Sequence, residues 1–178
     1  MANSSIVGDI KTKVISEIIQ DEDLFRAINS PTISSFEASD KLVNTHIFRF
    51  DQNPDVVEKT ITFITLQVHI PRSYSDNTFV KAQLEIFIIS HVDCMKVNNI
   101  PKIIDNRNDY ISRLLDNKFN GRTYLGTEDD PNKLQLYGSL DLVRNTEGAY
   151  RKYYLYRQMV FETKDVNDSL CDGGKYGG

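Results

Sequence analysis

The segment Phe79–Ile89 constrains the fold more than any other stretch of the chain. Val80, Ala82, Leu84, Ile86 and Ile88 fall on one side of it, and Lys81, Gln83 and Glu85 on the other. Successive side chains of a strand point to opposite faces of a sheet, so this period of two predicts a strand with one side buried. Upstream, Thr60–Ile70 reads as a second strand, with Ile61, Phe63, Leu66, Val68 and Ile70 set against Thr62, Gln67 and His69. The alternation slips at Ile64-Thr65, where a bulge is expected. The polar connection Pro71–Thr78 opens on a proline, as a loop beyond a strand end does, and predicts a hairpin.

The other elements are read as packing on this pair. Ile6, Ile10, Val14, Ile18, Leu24, Phe25 and Ile28 recur at helical spacing. Ser4 or Ser5 caps the start, the acidic Asp21-Glu22-Asp23 offers a break, and Asn29-Ser30-Pro31 is a stop. Pro31–Asn44 is polar and reads as loop, His46–Phe50 as a short strand, and Gln52-Asn53-Pro54-Asp55 as a turn. A second helix is expected over Ile103–Asn120. Its stripe is Ile104, Ile111, Leu114, Leu115 and Phe119, its polar side carries an Asp109/Arg113 pair, and Asn120-Gly121 ends it. Gly121–Pro131 reads as loop, Leu134–Val143 as strand, Asn145–Gly148 as turn and Tyr150–Phe161 as the last strand. The fold class is therefore α+β: a mainly antiparallel sheet of about five strands, with the N-terminal and middle helices on one face. Residues 1–166 are expected to form one domain, and 167–178, rich in Asp, Asn and Gly, a flexible tail.

Composition narrows the function. A hydrophobic fraction of 40% is too high for a disordered chain. A net charge of -4 argues against sequence-independent nucleic-acid binding, which needs surplus Lys and Arg. No apolar run approaches the ~20 residues that span a bilayer. Met1–Gly8 lacks the charged and apolar regions of a secretory signal, so a cytoplasmic origin is expected. Cys94 and Cys171 are read as reduced thiols without metal-ligand neighbours.

Motifs for chemistry are thin. Asp105, Asp109 and Asp116 would share a helix face, and carboxylates so grouped serve two-metal nucleases. Their segment is loosely similar to the acidic motif of small Holliday-junction resolvases. Arg107 and Arg113 on the same face favour a solvated, mixed-charge surface instead. His91, Asp93 and Cys94 match no metal signature, and His46 and His69 lie within strand patterns. Gly121–Gly126 lacks the ending of a phosphate-binding loop, and no serine stands in a nucleophile elbow. No catalytic, cofactor-binding or metal-binding residue is expected. Binding has the stronger signal: Tyr150-Arg-Lys-Tyr-Tyr-Leu-Tyr-Arg157 joins tyrosine to arginine, the types enriched at the energetic centres of interfaces. Tyr150, Arg151, Tyr154, Tyr156 and Arg157 are the candidate interface residues. Aromatic and basic residues also make single-stranded nucleic-acid platforms, but the acidic total favours a protein partner. The plainer alternative is that the tyrosines only cover a sheet face.

Taken in order, the helix Ser5–Ile28, hairpin Thr60–Ile89, helix Ile103–Asn120 and closing pair Gly138–Arg144 and Tyr150–Phe161 resemble a known family. They are similar to the tail-terminator proteins of tailed bacteriophages, neck proteins of head–tail joining. The phrases Asn106–Gly121 and Gly138–Gly148 carry the likeness: a helix ending in Gly, then two strands, the second rich in Tyr and Arg. Pro31–Asn44, Gly121–Lys133 and the stretch after Asp165 look like additions to the small family members. The resemblance implies a structural virion protein without cofactors, assembled in the host bacterial cytoplasm. It implies a hexameric ring that caps the head-proximal end of the tail tube and docks to the head-side connector. Partners would be further copies of the chain, the tail tube protein and the connector or stopper, with double-stranded DNA only as passing cargo. A head-completion stopper, the tube protein itself, the carboxylate-dependent nuclease and a non-viral cytoplasmic adaptor are the alternatives.

Overall fold

Helix formation follows the apolar spacing, and side chains set its limits. The computed structural model describes residues 4–50, 61–70, 79–150 and 152–166. Helix α1 runs Ser4–Ile19 and α2 Glu22–Ile28. They part at Asp21, whose carboxylate accepts from the Leu24 N–H at 3.0 Å and caps α2. Asn29, at φ 52°, ends α2 in the left-handed conformation. Helix α3, Arg107–Phe119, is capped by Asn106, which accepts from the Asp109 N–H at 2.9 Å. Gly121, at φ 80°, supplies the left-handed residue just past its end.

The strands are β1 (Ile47–Phe48), β2 (Thr62–His69), β3 (Phe79–His91), β4 (Arg122–Leu125), β5 (Leu134–Tyr150) and β6 (Tyr154–Val166). They form one six-stranded sheet in the order β1-β2-β3-β6-β5-β4. The fold is α+β, with two departures from the expected sheet. β1 pairs parallel to β2, and β4 forms within a stretch read as loop. The expected bulge at Ile64-Thr65 is absent: β2 and β3 pair without interruption from Thr62↔Ser90 to His69↔Gln83. Alternation slips there because both faces of β2 are covered, and Thr62 to Leu66 are all buried. Asn145–Gly148 is likewise no turn. β5 continues to Tyr150, and its pairing with β6 shifts register at Leu142/Arg144.

The main core lies between the helices and one sheet face. Ile10, Val14, Ile15 and Ile18 of α1 and Ile111, Leu115 and Phe119 of α3 meet Ile64, Leu66, Ile86, Ile88, Met159 and Phe161 of the sheet. Phe119 and Phe161 meet edge to face at 6.3 Å. On the opposite face, Phe48, Ile61, Phe63 and Ile89 form a smaller apolar cluster, flanked by Phe87, Tyr154 and Tyr156. Ile104 belongs to no stripe: α3 starts four residues later than expected, and Ile104 is 98% exposed. Pro31–Asn44, read as loop, contains a short 3-10 helix at Phe36–Leu42. The predicted turn at residues 52–55, the hairpin loop 71–78 and the tail 167–178 lie outside the described residues.

Candidate functional site

Strand alternation divides the predicted interface residues between two surfaces. Ser90 faces α3 through its hydrogen bond to Asn108, and Ser90 pairs with Leu155. Leu155, Arg157 and Met159 therefore share the helix side, while Tyr154 and Tyr156 occupy the other. Tyr150 pairs with Tyr154 and joins that second side. Arg151 lies outside the described residues. The run read as one sticky strand thus serves two unlike surfaces.

The side away from the helices is a continuous aromatic band. Phe48 meets Phe50 at 5.8 Å and Phe63 at 5.9 Å, and Phe63 meets Tyr154 at 6.5 Å. Tyr154 stands edge-on to His91 at 5.3 Å, and His91 stacks on Tyr153 at 5.9 Å. Tyr156 packs on Phe87 at 6.1 Å. Both ends of the band reach solvent: Phe50 is 54% and Tyr153 51% exposed. Large aromatics that are half buried and half open are the residue types that anchor interfaces.

Beside this band lies an open sheet edge. β4 pairs with β5 only as far as Leu140, and the Leu142 N–H donates to the Asn120 side chain at 2.9 Å. From Val143 to Tyr150, no strand among the described residues pairs with the outer side of β5. The N–H and C=O groups along such a sheet edge can accept another strand.

On the helix side, Arg157 forms the back of a cleft of about 400 Å³ between the start of α3 and the β5–β6 hairpin. Its guanidinium pairs with Asp109, with Glu147 at 3.0 Å and with the Asn145 side chain at 3.0 Å. Met95, Ala149 and Leu155 add apolar lining.

The carboxylates considered for a metal do not converge. Asp105 precedes α3 and pairs with Arg113 at 2.6 Å, so the expected Asp109–Arg113 pair is replaced by two others. Asp116 has one buried oxygen without a hydrogen-bond partner among the described residues. His91 contacts Asp93 at 3.4 Å, His69 contacts Glu85 at 3.2 Å, and His46 Nδ1 lies 2.7 Å from the Thr62 carbonyl. Among the described residues, no three His, Cys, Asp or Glu side chains gather to hold a metal ion. No helix among the described residues is long and apolar enough to cross a membrane. Burial pushes the Cys94 thiol's pKa up, partly offset by the nearby Arg107.

Three polar residues matter more than the sequence indicated. Arg107, expected on a solvated face, is 2% exposed. It donates to the carbonyls of Cys94 at 2.6 Å and Lys96 at 2.9 Å, and also to that of Ala27 at the end of α2. Asn108 bridges Ser90 Oγ at 2.6 Å and the Leu155 carbonyl at 3.0 Å, fixing α3 to β3 and β6. Glu17, also buried, accepts from Arg122 and from the Gly126 N–H, each at 2.6 Å. One signal was available for Arg107 and Asn108. With Asn106 read as the cap, both fall in the first turn, where the helix start meets the sheet.

No curated protein matches the chain. A family model, YomW, matches residues 21–163, from α2 through nearly all of β6. The chain belongs to the YomW family, a phage-related family whose name comes from a Bacillus phage-like region.

Proposed function

We propose that this phage-related chain is a structural virion protein, a tail terminator. Its copies form a ring at the head-proximal end of the tail tube, stop tube growth and dock to the head-side connector. One observation carries the reading: each subunit offers two unlike adhesive surfaces, the open edge Val143–Tyr150 and the aromatic band from Phe50 to Tyr153. Unlike surfaces that complement one another join copies head to tail, and such contacts close into rings when the rotation permits. A net charge of -4 suits a conduit that lets DNA slide without gripping its phosphates. The reading requires no cofactor and no catalytic residue.

The test is light scattering over a concentration series, followed by negative-stain imaging, with and without the phage's tail tube protein. Rings of about six copies that cap tube ends and halt their growth are expected. Copies that extend tubes would point to a tube protein instead. A chain that stays monomeric and leaves tube growth unchanged would overturn the reading.

A further inference from the structure

We infer that the cleft beside Arg157 is a docking pocket for a lysine or arginine side chain of a partner protein. Its lining matches the two parts of such a side chain. Met95, Ala149 and Leu155 offer apolar contact for a methylene stem, while Asp109 and Glu147 offer carboxylates for the cationic head. A volume of about 400 Å³ accommodates one long side chain with its flanking backbone.

Charge favours a cation over an anion. Among the described lining residues Arg157 is the one cation, and it is already committed to Asp109, Glu147 and Asn145. Two carboxylates against one guanidinium leave the pocket net negative. Glu147 keeps capacity to spare, since Arg157 engages its Oε2 and its side chain is 72% exposed. Asp109 is the more fixed of the two, because Asn106 also donates to it. An incoming ammonium or guanidinium would therefore meet Glu147 at the mouth, with Asp109 and Arg157 behind it.

The choice of a foreign partner rests on the ring reading, although the pocket itself does not. The chain's own Arg151 and Lys152 follow directly on β5, two and three residues beyond Ala149. If a neighbour's Arg151 or Lys152 entered this pocket, the proximity of cleft and hairpin tip would favour the reciprocal insertion. That is a two-fold pair and not a ring.

The experiment is a titration of the isotope-labelled full chain with N-acetyl-arginine amide and N-acetyl-lysine amide, read by amide chemical shifts. The uncharged amides of citrulline and norleucine serve as controls. Saturable shifts centred on Asp109, Glu147 and Ala149 are expected with the two cations only. Glu147→Gln should weaken binding about threefold, the scale of one partly exposed ion pair, with an unchanged melting temperature. No saturable shift, equal shifts with citrulline, or shifts centred elsewhere would overturn the proposal. So would shifts at these residues that grow with protein concentration alone and track a dimer in light scattering, because the occupant would then be a second copy. A monomeric chain that still binds the cations would retire the ring and keep the pocket.

Discussion

Arg107 shows what a buried cation can do without a carboxylate. Its fork reaches the carbonyls of Cys94 and Lys96 in one segment and that of Ala27 in another, remote in sequence. An ammonium on a single stem cannot span three such acceptors. Arg107→Lys should therefore cost on the order of 3 kcal/mol, as lost bonds and stranded carbonyls add together, and urea unfolding would measure it. The spacing of α3 gave no hint of this, because hydropathy treats arginine as surface wherever it falls. A smaller effect belongs to Asp130. Its hydrogen bond from Lys13 holds its carboxyl below the ordinary carboxylate value. A depressed folded-state pKa gives stability that is present above the unfolded value and lost as pH falls through the folded one. Lys13→Met should therefore flatten the acid side of the stability–pH curve below about pH 4 and leave its slope near neutrality unchanged.

At the scale of elements, alternation was legible wherever one face of a strand is buried and the other open. β3 meets that condition from Ala82 to Phe87, with buried and half-buried residues in strict turn. It failed in β2, which is covered on both sides, and in β5, where Asn145 and Gly148 carry turn chemistry inside a strand. Gly148 has a packing reason to be there. A Cβ at that position would lie 2.6 Å from the Tyr156 ring, which fills the space the missing side chain leaves. Gly148→Ala should cost about 1–3 kcal/mol through overpacking. In a Tyr156→Ala background the same change should cost close to nothing, a coupling that a double-mutant cycle reads directly. β4 was missed because pairing with β5, and not its own pattern, makes it a strand.

For the whole molecule, the α+β class and the helix side of the core could be read from periodicity. So could the division of Tyr154 and Tyr156 from Arg157, since alternation alone assigns them to opposite faces. The partners of Arg157 could not, because Asp109 and Glu147 meet it only through tertiary placement. Association is tested at the edge of β5. Val143, at the register shift, is 52% exposed. Val143→Lys should change stability by less than about 0.5 kcal/mol. If the edge joins copies, the same change should abolish assembly in light scattering, because a lysine on an open edge opposes a pairing strand.

The strand order also sets a timetable for synthesis. β6, the last strand of the sequence described here, lies at the middle of the sheet between β3 and β5. Until the ribosome has released it, β3 lacks one neighbour, β5 lacks its main one, and Met159 and Phe161 are missing from the core. The nascent chain must therefore carry the unfinished edge of β3 while residues 92–153 are made, joined by that of β5 only once its own residues have emerged, and pairing with a neighbouring nascent chain competes with folding in that interval. Closure comes in one late step, when β6 zips between strands that have been waiting for it.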